Sequence, residues 1–151
     1  MLKRLFHIAI NSKDLDRSVA FYQDLGFEIV QDRAFTNELL PEAFAVPSAQ
    51  LRFVHLRLGQ DPDATILDIV QWHAPDTADG PGVLAQNVQG LTRFSVLTDD
   101  TVRVYEALKA KGAEFVTEPH TVMTPDGGWT VCLVLDPDGV VVQITELVPA
   151  P

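Results

Sequence analysis

The chain has 151 residues, 46% apolar and 21% charged, with a formal net charge of −10. That length suits one good hydrophobic core and is short for two ordinary domains. The acidic balance argues against binding a phosphate backbone, and no run of about 18 apolar residues is present to span a membrane.

Residues 3 to 10 are mostly apolar, alternate weakly, and read as a strand ending at Asn11 and Ser12. The basic start of MLKRLFHIAI resembles a signal peptide, but Asn11, Lys13 and Asp14 interrupt it too early, so the strand reading is preferred. Ser12 or Asp14 is placed to cap a helix with Leu15, Val19, Tyr22 and Leu25 on one face, and Gly26 ends it. A strand follows from Phe27 to about Gln31. Residues 33 to 50, with Pro41 and Pro47, form an insertion that reads either as a lid over a ligand site or as a tolerated surface loop. Strands are expected over residues 51 to 58 and 65 to 72.

The second half follows the same order. A strand over residues 91 to 97 leads to a cap at Asp99 or Asp100, then a helix with Val104, Tyr105 and Leu108 inward, stopped by Gly112. Residues 114 to 116 are extended, and His120, beside Pro119, is expected in a loop. Strands over 130 to 135 and 140 to 147 are joined by Asp136-Pro137-Asp138-Gly139, read as a tight turn rather than a metal motif. A single cysteine, Cys132 in VCLVL, excludes an internal disulfide or multi-cysteine zinc site and reads as buried core.

The two halves align directly. HIAINSKDLDRSVAFYQDLGFEIV, from His7, lies without a gap over RFSVLTDDTVRVYEALKAKGAEFV, from Arg93, at a constant offset of 86 residues. Asp14 then matches Asp100, Arg17 matches Arg103, Gly26 matches Gly112, and Glu28 matches Glu114. So long an offset implies two copies of one supersecondary module rather than a solenoid repeat. Each module reads β-α-β-β-β, the first over about residues 1–75 and the second over about 88–148, in a single α+β domain spanning 1–151. A ferredoxin-like plan would leave one strand of each half unused.

Paired modules of this kind, the opening HIAINSKDLDRSVAFYQDLGFE and the closing LDPDGVVVQITEL resemble the vicinal oxygen chelate superfamily, which includes glyoxalase I, methylmalonyl-CoA epimerase, extradiol dioxygenases and bleomycin resistance proteins. The resemblance implies a glyoxalase-like fold in which two modules curl a mixed sheet into a cup. In metal-using members, side chains from the first and last strand of each module meet there. The matching positions here are His7, Asp68, Arg93 and Gln143, where the family usually has His, Glu or Gln, His and Glu. Glu146 is tempting, but period-two alternation puts it on the other face from Gln143.

Arginine has no lone pair to offer a metal and keeps its charge. The favoured expectation is therefore no metal, with Arg93 as fixed cation, paired to Asp68, stabilising an oxyanion or enolate. His7 is the first choice of base, because an Asp paired with Arg is held in its weakly basic charged form. A weakly bound divalent metal on His7, Asp68 and Gln143 is the alternative, and a purely internal Arg93–Asp68 ion pair is the non-functional reading. Gln143, His55, Trp72 and Trp129 are candidate substrate-binding residues, although the alternation around His55 does not fix its face, and both tryptophans also suit packing seams.

Two functions follow from the resemblance: a small isomerase or lyase acting on an oxygen-rich or acyl substrate, or a metal-free protein that sequesters an aromatic drug or metabolite. An extradiol dioxygenase fits less well, since its second iron-binding His is missing. The expected partner is a small molecule rather than a nucleic acid or membrane, the expected compartment cytoplasmic, and the expected assembly a homodimer.

Overall fold

The computed structural model describes residues 2–35, 44–46, 50–83 and 85–150. In chain order the elements are β1 (His7–Asn11), α1 (Leu15–Asp24), β2 (Phe27–Phe35), β3 (Gln50–Leu58), β4 (Ile66–Ala74), β5 (Arg93–Leu97), α2 (Thr101–Ala110), β6 (Phe115–Thr124), β7 (Gly127–Leu135) and β8 (Val141–Val148). The chain divides into two compact units, Met1–Gly80 and Pro81–Pro151. Each holds one helix and one four-stranded mixed sheet, ordered β1-β4-β3-β2 in the first and β5-β8-β7-β6 in the second. In each sheet the first and last strands of the unit pair in parallel and the other neighbours are antiparallel. These are the two βαβββ modules of the α+β reading.

The helices start as the repeat requires. Asp14 accepts a hydrogen bond from the backbone N–H of Arg17 at 3.1 Å, and Asp100 accepts the matching one from Arg103 at 2.9 Å. Each aspartate thus satisfies one of the orphan donors of a first helical turn. Leu15, Val19 and Tyr22 of α1 are buried, as are Val54 and Leu56 of β3 and Leu67 and Ile69 of β4. α1 packs on β2, β3 and β4, and α2 packs on β6, β7 and β8. In the second unit Tyr105, Leu108, Val134, Val142 and Ile144 are buried around Cys132, whose thiol burial pushes up to about 11. Cys132 is therefore core and not a nucleophile.

The Asp136 turn has the expected form. The Asp136 carboxylate accepts from the N–H groups of Asp138 and Val140 at 2.9 and 2.7 Å, and Gly139 takes a φ of 85°. It sets the antiparallel β7–β8 register, in which Leu133 faces Gln143.

Some expectations give way. His120 lies within β6 and pairs with Val131 of β7, not in a loop. Pro119 misled, because β6 carries register shifts between Phe115 and His120 that accommodate it. β1 begins at His7 rather than residue 3, since its partner β4 begins only at Ile66. The insertion is shorter than residues 33 to 50, because β2 runs to Phe35 and β3 starts at Gln50. The lid reading of that segment falls almost entirely outside the described residues. Among the described residues, no helix is long and apolar enough to cross a membrane.

Candidate functional site

In β3 and β4 the alternation sorts side chains between the helix and the opposite face. Arg52 reaches Asp16 of α1 at 2.9 Å, and Val54 and Leu56 are buried, so the even positions of β3 face the helix. Phe53, His55 and Arg57 therefore lie on the opposite face. In β4, buried Leu67 and Ile69 face the helix, leaving Asp68 and Trp72 opposite. The register places His55 directly across from Asp68, and His7 diagonally across from it on β1. Sequence alternation alone left the face of His55 open; the strand register assigns it.

His55 Nε2 stands 3.6 Å from Asp68 Oδ1, with the two side chains 19% and 14% exposed. This separation is beyond a hydrogen bond, and Asp68 Oδ1 is buried with no hydrogen-bond partner. Burial pushes the Asp68 carboxyl above the ordinary carboxylate range, opposed by the nearby His55 and His7. Burial also holds His55 below the ordinary imidazole value, against the pull of Asp68 and with a push from His7. Asp68 is thus a stronger base than the expected ion-paired aspartate, and the neutral forms of both groups are favoured.

Asp68→Asn is expected to separate these effects. A raised carboxyl value means that wild-type stability falls as pH climbs from the ordinary value of 3.8 through the raised one. The lowered His55 value adds a loss as pH falls below 6.5, and this loss deepens once the carboxylate is gone. Melting temperatures measured from pH 3.5 to 8 should therefore move in the variant's favour as pH rises. A pH-independent difference, or the opposite slope, contradicts this assignment.

Trp72 donates from Nε1 to Asn11 Oδ1 at 2.9 Å and meets Phe44 edge-on at 5.8 Å. Trp72 therefore shares the Asp68 face, whereas His73 falls on the helix side. Phe53 and Phe35, which composition did not single out, extend this face. The Phe53 ring is 4.7 Å from that of His55 and stacks on Phe35 at 5.6 Å. For Phe53 the signal was available in the alternation of β3, whereas Phe35 lies beyond the β2 register shift, in a stretch that reads from sequence as insertion.

The second unit repeats the register. His7 faces Ile66 as Arg93 faces Val141, and Asp68 and Gln143 stand two residues beyond those partners. The two pairs therefore occupy equivalent places in their own sheets. Exposed Arg93 donates from Nε to Gln143 Oε1 at 2.7 Å and from Nη1 to Gln86 Oε1 at 3.0 Å. Gln143 donates onward to Thr145 Oγ1 at 2.9 Å, and Ser95 and Thr145 hydroxyls meet at 2.7 Å. Glu146 turns away, accepting from the Thr101 N–H at the start of α2 at 2.9 Å. Trp129 is 40% exposed and lies across from Leu147.

Within its own unit Arg93 is held by neutral amide oxygens, and among the described residues of that unit no carboxylate pairs with it. Within the second unit the Arg93–Gln143 pair does not suit a divalent cation, since the guanidinium has no lone pair to offer and occupies the amide oxygen of Gln143. Among the described residues, no three His, Cys, Asp or Glu side chains are grouped to hold a metal.

Comparison with known proteins agrees with this architecture. A Brassica oleracea var. gemmifera protein named putative lactoylglutathione lyase is 25% identical over 151 residues, which is 99% of this chain and 46% of that protein. An Arabidopsis thaliana protein named probable lactoylglutathione lyase, chloroplastic, is 26% identical over 99% of this chain and 37% of its own length. The chain thus spans less than half the length of these curated relatives. Among solved structures, a glyoxalase family protein from Bacillus cereus superposes with a TM-score of 0.86 at 17% identity, covering 98% of this chain and 96% of that one. Glyoxalase I from Zea mays gives 0.67 at 21% identity, over 98% of this chain and 45% of that one. At these identities the solved structures speak for the fold alone. The Glyoxalase/Bleomycin resistance protein/Dioxygenase superfamily pattern matches residues 4–144, and the chain belongs to that superfamily.

Proposed function

We propose that this protein is a lyase or isomerase acting on a small, oxygen-rich acyl substrate, with Arg93 serving as the fixed cation that other family members obtain from a metal. The observation that carries the proposal is the neutral company of Arg93. Two amide oxygens fix the guanidinium while leaving its charge uncompensated within its unit. A preorganised cation with unused N–H groups is suited to an oxyanion. In the step envisaged, the C–H bond next to a carbonyl breaks, its electron pair forms the enolate double bond as the carbonyl pair moves onto the oxygen against Arg93, and a general base takes the proton. Asp68 and His55 set the electrostatic surroundings of His7 within the first unit. Relatives named lactoylglutathione lyase support a lyase over other chemistries.

The test is elemental mass spectrometry on native protein and Arg93→His, with turnover of lactoylglutathione and related acyl thioesters measured before and after chelation. Native protein without stoichiometric divalent metal, chelator-resistant turnover, and metal gained by Arg93→His are expected. Native metal near one per chain, with turnover lost on chelation, would overturn the proposal in favour of a metal-dependent reaction.

A further inference from the structure

Arg57 is absent from the chemistry above. It lies on β3 two residues beyond His55, on the face away from α1, and its register partner on β2 is Glu28. Its Nε is buried with no hydrogen-bond partner, and no ion pair involves it among the described residues. Arg4 and Arg52 of the same unit, by contrast, each rest on carboxylates. Glu28 does not compensate Arg57, since its oxygens instead face Gln60 Nε2 at 3.5 Å.

A guanidinium is always charged, and a buried donor without an acceptor is costly. A ligand carboxylate meeting the guanidinium at its Nη groups would supply the counter-charge that Glu28 does not. The rest of the row describes the ligand's body. His55 and Phe53 follow Arg57 on one face of β3, with Phe35 stacked on Phe53. Same-face residues on a strand are roughly 7 Å apart, so Arg57 and Phe53 are roughly 13 Å apart along β3. We propose that this face binds an aryl carboxylate, its carboxylate on Arg57 and its ring along His55 and Phe53. The inference rests on the small-molecule reading above but not on turnover. Failure of the turnover test above would therefore end the lyase proposal and leave this one standing.

The experiment is calorimetric titration of the full chain with 4-phenylbutanoate and with its uncharged amide, on wild type, Arg57→Gln and Arg57→Lys. Wild type should prefer the carboxylate at least tenfold. Arg57→Gln should bind the two within twofold of each other, with an unchanged or higher Tm because no hydrogen bond or ion pair among the described residues is lost. Arg57→Lys should retain part of the preference, as a point charge without the planar fork. Equal binding of the two compounds by wild type, binding of neither, or a tenfold preference persisting in Arg57→Gln would overturn the proposal. So would a Tm drop of several degrees in Arg57→Gln, which would make the guanidinium a structural element.

Discussion

On the reaction proposed above, Arg93→Ala is expected to lower kcat by about 10²–10³-fold, the usual loss when one oxyanion donor is removed. KM should change less, because the charge it answers develops in the transition state. The fold should survive. Arg93 is exposed and its partners are amides, so truncation removes two surface hydrogen bonds and leaves no buried charge behind. Substitutions of that kind usually fall within about 0.5 kcal/mol. Arg93→Lys should recover part of the rate, since an ammonium restores charge but not the fork that grips both Gln143 and Gln86. Steady-state kinetics with melting curves on the three proteins check this, and full turnover by Arg93→Ala ends the assignment.

Gly128→Ala is expected to be the most destabilising single methyl group considered, at about 3 kcal/mol or more, corresponding to a Tm loss of roughly 10 °C. β7 runs between β6 and β8, and Gly128 pairs with Met123 on one side and Val148 on the other. An added Cβ would fall well inside contact distance of the Val122 carbonyl oxygen, with Met123 Sδ at 2.7 Å and Met123 Cα at 3.1 Å. The thioether can swing aside; the backbone of a paired strand cannot. Thermal melts against Gly139→Ala make the comparison sharp. Gly139 has a φ of 85° but nothing nearer than 3.7 Å to its would-be Cβ, so its cost is conformational, about 1 kcal/mol.

The repeat made the fold legible. The Asp14 and Asp100 caps, Gly26 and Gly112 at the helix ends, and the Asp136 turn are local signals, and each acts where the sequence puts it. The turn also fixed the register of β8, and so the face of Gln143 and the opposite face of Glu146. What remained hidden depends on pairing between strands distant in sequence. His55 and Asp68 meet because β3 and β4 align His55 with Asp68, a relation that no period along one strand encodes. Of the amide partners of Arg93, Gln143 stands among the positions that the resemblance selects, whereas Gln86 lies in a segment with no periodicity to place it. Arg57 was overlooked because an arginine on an alternating strand usually reads as solvated surface, and only the burial of Nε distinguishes it.

The equal registers of the two sheets give the chain an internal reference that most small proteins lack. Because His7 and Asp68 occupy the same lattice points as Arg93 and Gln143, and His55 the same point as Leu133, each half is a template on which the other's chemistry can be rebuilt. An ancestral duplication would have left two interchangeable faces. They differ at these few points, one face carrying imidazole and carboxylate and the other a cation and amides, while the strand order and ladder are the same in both.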